Sequence, residues 1–154
     1  LHGLFAGNPY VLTPTEETPE AAIALIESVL RPLQVKFFQC RPEDHDRAVA
    51  WISHLPVMTS ASLIAACMTE ADSRVLGLTQ QLASSGFKDT SRVGGGNPEL
   101  GVMMAQYNRD EVLRALRVYR ESLEKIEGAI VQENWEELET ILRGTQEARS
   151  GFVE

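Results

Sequence analysis

The first forty residues contain one strand–helix–strand unit, and this unit constrains the fold more than any other feature. Residues 9–14 are a short apolar run between two prolines, which is typical of a buried strand, and residues 35–40 are a second strand-like run. Between them, Thr18 and Pro19 predict a helix start, with Thr18 as the N-cap. Because two strands do not form a stable sheet alone, the sequence predicts the remnant of a larger parallel sheet.

From Pro42 onward the pattern changes to five or six helices. The longest mostly apolar stretch is residues 48–68, with Pro56 inside it, and the part from Val57 to Met68 is apolar nearly all round, as expected of a central helix. Proline removes a backbone donor and crowds the preceding turn, so we expect a kink or break near Ser53 and His54 that divides the segment into a helix pair. The predicted fold class is therefore mainly α, with a short β-α-β remnant followed by an all-helical domain.

Composition favours a soluble cytoplasmic protein. The chain has 154 residues and a formal net charge of -8. It has no lysine/arginine cluster, which argues against a nucleic-acid partner. Cys40 and Cys67 are isolated and form no CxxC motif, as expected in a reducing compartment. The start of the chain does not resemble a signal peptide, and His54, Pro56 and several hydroxyls interrupt the longest apolar stretch, so no membrane span is predicted.

The histidines differ in their settings. The three of them show no HExxH motif or short ligand spacing, so no metal site is predicted. His45 lies in an acidic first helical turn and is interpreted as a solvated residue near the helix start. His54 lies two residues before a helix proline, Pro56, where freed backbone groups and a kink can open a pocket. It is either a site residue or a core histidine that satisfies a freed carbonyl.

A glycine-rich segment after a helix predicted to run from Asp72 to Gly86 contains the second candidate. We expect a loop over residues 87–97, in which Arg92 is followed by three glycines. A planar guanidinium suits bidentate hydrogen bonding to a carboxylate, and a salt bridge with Asp89 could orient the Arg92 side chain. The alternative is an ordinary surface loop that ends in a helix cap at Asn97. The glycines do not form the GxGxxG pattern of dinucleotide sites.

Two motifs together resemble the prephenate/arogenate dehydrogenase family. Residues 46–56, DRAVAWISHLP, are similar to its histidine-bearing helix, and residues 85–92, SGFKDTSR, to its substrate-binding loop. Residues 9–15 fit the end of its nucleotide-binding domain. The sequence of residues 92–100, RVGGGNPEL, looks closest to the cyanobacterial, arogenate-preferring branch of the family.

This resemblance implies a fold and an activity. Residues 1–41 would be the end of a Rossmann domain, and residues 42–154 a helical substrate-binding and dimerisation domain. The implied enzyme is an NAD(P)-dependent dehydrogenase of tyrosine biosynthesis, which oxidatively decarboxylates arogenate or prephenate and acts as a homodimer. Its cofactor, NADP or NAD, would be bound mainly by an N-terminal domain that this chain lacks.

The resemblance also assigns roles to site residues. His54 would bind a polar group of the substrate, Arg92 a carboxylate, and Asp89 would belong to an ionic network around Arg92. Ser85 and Gly86 would line the pocket through their backbone. We expect His54 and Arg92 to face one cleft.

The catalytic residues remain unassigned. The family's dinucleotide fingerprint and the motif that carries its proton-accepting histidine are absent, and His2 does not match that motif, so the chain alone is not expected to complete the reaction. Two alternatives stay open: a non-catalytic helical dimerisation or binding module, and another hydroxyacid-type dehydrogenase.

Overall fold

A computed structural model describes residues 3–153, and its first elements are the predicted strand–helix–strand unit. Strand β1 covers Pro9–Leu12 and helix α1 covers Glu20–Leu30, followed by a 3-10 turn at Arg31–Leu33 and strand β2 at Lys36–Gln39. The strands pair in parallel, with Pro9 opposite Lys36 and Leu12 opposite Gln39. The prediction of a parallel β-α-β unit is confirmed.

The start of α1 differs slightly from the prediction. Thr18 does not cap the helix, because its hydroxyl accepts a hydrogen bond from the Thr15 N–H at 3.0 Å, and Pro19 takes the N-cap position. Within residues 3–153 the sheet has two strands, so each strand has one unpaired edge. On α1, Leu25 and Val29 are more than half exposed. Open edges and apolar surface of this kind are expected to be covered by further structure.

The predicted irregularity near His54 is a widened turn within one continuous helical run. Helix α2 covers Pro42–Val49, a π-helical turn covers Ala50–His54, and helix α3 covers Leu55–Cys67. The Leu55 N–H donates to the Ala50 carbonyl, five residues back. The place of the irregularity was predicted correctly, but the division into a helix pair was wrong. A π turn accommodates the missing donor and the bulk of Pro56 without ending the helix.

Three shorter helices follow. Helix α4 covers Ser73–Leu82, α5 covers Ser85–Ser91 and α6 covers Pro98–Tyr107. Asp72 caps α4 as predicted, because its carboxylate accepts from the Arg74 N–H at 2.9 Å. Two expectations were wrong: the helix predicted to reach Gly86 ends at Leu82, and the loop predicted from residue 87 begins only after Ser91. Extended backbone at Ser84 allows a new helix to start there, and Gly86 lies in its first turn.

The chain divides into two compact units, Leu1–Glu111 and Val112–Glu154. The second unit contains most of helix α7, Arg109–Val131, and helix α8, Trp135–Arg149. Asparagine three residues before glutamate is typical of a helix start, and Asn134 caps α8 by accepting from the Glu137 N–H at 3.2 Å. The domain boundary predicted after residue 41 falls in the short connection between β2 and α2 and stays a prediction.

The helical run Pro42–Cys67 is long and apolar enough to cross a membrane on length and composition alone. The core helix of a soluble protein meets the same criterion. Helix α3 contacts α5, and the π turn contacts α6, although most of the apolar run is not buried within the described residues. These contacts favour a core helix.

Candidate functional site

Arg92 lines an open cavity of about 420 Å³ beside the π turn. One wall comes from the turn and the start of α3, including Ser53 and Pro56, and the opposite wall comes from the Arg92 loop and α6, including Asn97 and Met104. Arg92 itself is exposed, and no ion pair joins it to another residue in the described part of the chain. Its guanidinium therefore remains available to an anionic ligand.

The loop that carries Arg92 is attached to the central helix. Helix α5 ends at Ser91, and two residues beyond Arg92 the Gly94 N–H donates to the Ser60 hydroxyl at 2.7 Å. Ser60 lies on α3 and is only 3% exposed. The Gly95 N–H bonds back to the Ser91 carbonyl at 3.2 Å. The bond from Gly94 ties the backbone on the C-terminal side of Arg92 to α3, and the bond from Gly95 ties it to the end of α5.

His54 ends the π turn and is half-buried. Its Nδ1 lies 3.3 Å from the side-chain nitrogen of Asn108, which also donates to the Asp46 backbone carbonyl at 2.7 Å. Partial burial lowers the pKa of His54 below its ordinary value of 6.5; the charge of Asp46 opposes this shift and His45 adds to it. His54 is thus a largely neutral imidazole near pH 7.

The structure brings only some of the predicted site residues together. His54 is not among the described residues that line the Arg92 cavity, although its neighbours Ser53 and Pro56 are. Asn108, its hydrogen-bonding partner, lines a separate cavity of about 470 Å³ with Asp46. The expectation that His54 and Arg92 face one cleft therefore receives no support from these cavities.

The remaining predicted site residues lie on α5 outside the cavity wall. Ser85, Gly86 and Asp89 are exposed, and within residues 3–153 no ion pair joins Asp89 to Arg92. The Gly86 carbonyl accepts a hydrogen bond from the Thr90 hydroxyl at 2.8 Å.

Asn108 is a neighbour of the site that sequence reasoning missed. It precedes a long helix, where asparagine is usually interpreted as a cap. Its contacts with Asp46 and His54 span more than fifty residues of chain, and no local pattern signals them. The His45 ring, by contrast, lies where expected, with Nδ1 3.1 Å from the Asp46 carboxylate in the acidic first part of α2.

Comparison with known proteins identifies the family. Residues 41–144 match the prephenate dehydrogenase dimerization domain. This chain belongs to the prephenate dehydrogenase family. Prephenate dehydrogenase of Bacillus subtilis is 27% identical over 149 residues, which are 97% of this chain and 40% of that protein. The chain thus spans less than half the length of this curated relative.

Solved members of the prephenate dehydrogenase family share the fold. Synechocystis arogenate dehydrogenase superposes with a TM-score of 0.92 at 55% identity, over 98% of this chain and 54% of that one. Aquifex aeolicus prephenate dehydrogenase, in complex with hydroxyphenyl propionate and NAD+, superposes with a TM-score of 0.90 at 26% identity, over 98% and 52%. The predicted family and the mainly helical fold class are confirmed.

Proposed function

We propose that the full-length protein oxidatively decarboxylates arogenate, or alternatively prephenate, in the cytoplasm as a step of tyrosine biosynthesis. This chain would supply the substrate-binding and dimerisation part. The observation that carries the proposal is the 55% identity to Synechocystis arogenate dehydrogenase over 98% of the chain. Identity to the A. aeolicus prephenate dehydrogenase is 26%, so the comparison favours arogenate.

In this proposal Arg92 binds a substrate carboxylate. Arg92 lines an open cavity, and its side chain has no competing ion pair within residues 3–153. The aromatic ligand of the A. aeolicus relative, hydroxyphenyl propionate, is itself a carboxylate, which is the chemistry that arginine recognises with two parallel hydrogen bonds. His54 would hydrogen-bond a polar group of the substrate, while Asp89, Ser85 and Gly86 would complete the pocket in the assembled enzyme.

The residues of this chain do not fit the nicotinamide dinucleotide by themselves. The connection between β1 and α1, residues 13–19, holds two prolines and no glycine, so it cannot form the glycine-rich turn that cradles a pyrophosphate. We assign cofactor binding, with NADP or NAD, to residues of the full-length protein outside this chain. The proton acceptor is assigned there too.

A homodimer is part of the proposal. The matched family is a dimerization domain, and α7 carries Tyr119, Leu123 and Ile130, each close to half exposed. Apolar side chains repeated along one helix and left open to solvent are typical of an interface. The dimer contacts would come from the helical part of the chain.

The function is tested by steady-state kinetics of the full-length protein with each combination of arogenate or prephenate and NADP or NAD. We expect turnover with arogenate, and a kcat/KM for prephenate lower by about tenfold or more, because the two substrates differ in a polar group that a pocket can read. Absence of reduced cofactor with all four combinations would contradict the proposal.

The second candidate, a non-catalytic dimerisation or binding module, is favoured by one observation. His54 and Arg92 do not line a shared cavity among the described residues. Calorimetry with hydroxyphenyl propionate separates the candidates, because a scaffold would show no saturable binding of this ligand, whereas a substrate site would bind it through Arg92.

A further inference from the structure

The environment of the Asn108 side chain determines which of its atoms is the nitrogen. One atom of the amide lies 2.7 Å from the Asp46 backbone carbonyl oxygen. A carbonyl oxygen only accepts hydrogen bonds, so the atom facing it must be the NH2 group. This assignment does not involve His54 and is therefore an independent constraint on what the same group presents to the imidazole.

The same NH2 group lies 3.3 Å from Nδ1 of His54. An amide nitrogen has two hydrogens and no acceptor capacity, so one hydrogen serves the Asp46 carbonyl and the other faces the ring. Nδ1 can then only accept. A proton on Nδ1 would put two donors against each other.

We infer that Asn108 is a positioning residue that holds the His54 imidazole in the tautomer with its proton on Nε2. In a neutral histidine the hydrogen bond at one nitrogen decides which nitrogen carries the proton. Nε2 has no hydrogen bond to another residue within 3–153, so the N–H of this tautomer is unpaired there. A ligand that reached Nε2 would meet an uncharged donor.

The neighbouring carboxylate does not compete for Nδ1 of His54. The Asp46 side chain is engaged by Nδ1 of His45 at 3.1 Å, and only its backbone carbonyl takes part in the Asn108 contact. His45 thus faces an acceptor and His54 faces a donor. The two histidines are expected to hold opposite tautomers.

The tautomer also predicts which substrate group His54 would bind. This step alone rests on the proposed function. An Nε2–H donor suits a carboxylate or carbonyl oxygen on the substrate side chain and does not suit a second donor. Such a bond adds to binding in the ground state and in the transition state alike, so its loss is expected in KM more than in kcat.

The test uses the full-length protein with 15N-labelled histidine rings and two-bond proton–nitrogen correlation spectra, recorded at a pH where His54 is neutral. His54→Gln assigns the signals. We expect His54 to show a pyridine-like Nδ1 and a pyrrole-like Nε2. The Asn108→Asp variant replaces the donor by an acceptor of equal size, and its spectrum should show the reverse pattern.

Gln106→Glu is the matched control, because residue 106 lines the same cavity as Asn108 and gains the same charge without touching His54. It should keep the original pattern. A pyrrole-like Nδ1 or an even mixture of tautomers in the wild type would overturn the inference, as would an unchanged pattern in a folded Asn108→Asp variant. The wild-type spectrum alone decides if that variant does not fold.

Kinetics separate this inference from the proposed function. Loss of one neutral hydrogen bond in Asn108→Asp should raise KM for arogenate by about 3- to 10-fold with a smaller change in kcat. If the wild type shows the expected tautomer but turns over neither arogenate nor prephenate, the proposed function fails and the positioning role of Asn108 stands.

Discussion

Gly94 lies against Ser60 so closely that position 94 has no room for a side chain. A Cβ built on Gly94 would lie 2.6 Å from the Ser60 hydroxyl oxygen and would overlap the backbone of Ser60 and Ala61. The Gly94 N–H meanwhile donates to that same hydroxyl. This close approach, rather than backbone flexibility, explains why glycine occupies the position two residues beyond Arg92.

Replacement of Gly94 by alanine is expected to destabilise the protein and to weaken substrate binding together. The added methyl group meets backbone atoms of α3 that cannot rotate away, and overpacking of this kind costs about 1–3 kcal/mol. Denaturant unfolding measures the first effect and KM the second. Gly95→Ala is the matched control, because a Cβ there meets nothing closer than 3.9 Å. Equal effects at both positions would contradict the steric explanation.

Removal of the Ser60 hydroxyl tests the hydrogen bond separately from the steric fit. In Ser60→Ala the Gly94 N–H loses its acceptor in a largely buried place, which should lower the free energy of unfolding by about 1–3 kcal/mol. Thr59→Val is the comparison, since the Thr59 hydroxyl bonds only to carbonyls of its own helix, at Leu55 and Pro56. A Thr59 variant as destabilised as the Ser60 variant would show that the contact with Gly94 is not the cause.

Arg92→Ala in the full-length enzyme is expected to raise KM with a smaller fall in kcat. A carboxylate contact present in both substrate and transition state contributes uniform binding, and its loss should cost about 2–4 kcal/mol, roughly 30- to 1,000-fold in KM. Arg92→Lys should recover only part, because lysine lacks the two-pronged geometry. Arg74→Ala removes an exposed arginine that pairs with Asp72 and should leave KM unchanged. An unchanged KM with a collapsed kcat would place Arg92 in the chemical step instead.

Stability should depend on pH through His54. Burial lowers its pKa in the folded state below the ordinary 6.5, Asp46 opposes this, and His45 adds to it. As pH falls through 6.5 the unfolded chain takes up the proton first, so the free energy of unfolding decreases until the folded-state pKa is also passed. Urea midpoints measured between about pH 8 and 5 should fall less steeply in His54→Gln than in the wild type. Parallel profiles would rule out this contribution.

Sedimentation of the full-length protein at micromolar concentration is expected to show a dimer. The half-exposed apolar residues of α7 and the family match to a dimerization domain motivate this expectation. Stable dimer interfaces of this class bury upwards of roughly 2,000 Å². A monomer under these conditions would contradict the dimerisation role.

The sequence predicted those parts of the fold that local patterns determine. The strands around residues 9–14 and 35–40, the caps at Asp72 and Asn134, and the irregularity before Pro56 all follow from residue types a few positions apart. Helix α5 was missed because it is short and contains Gly86, a residue that ordinarily marks the end of a helix.

The candidate site was predicted less well because tertiary contacts build it. Arg92 was singled out from its setting before the glycines, but the bond that attaches its loop through Gly94 to Ser60 spans 34 positions, and the contact of Asn108 with His54 spans 54. Neither pair is linked by a periodicity or motif. The roles of His54, Asp89, Ser85 and Gly86 stay predictions that the kinetic and binding experiments address.

The π turn at Ala50–His54 changes the rotational relationship between the side-chain faces of α2 and α3. A regular α-helix rotates by about 100° per residue, so one additional residue in a turn offsets all later faces by about that angle. The side-chain positions around the helix axis are therefore offset between the residues before Ala50 and those after His54. Asp46, whose backbone carbonyl accepts from Asn108, lies before the turn, and Pro56 lies after it. The helix face that carries Asp46 is therefore offset by about 100° from the face it would share with residues after the turn in an uninterrupted α-helix.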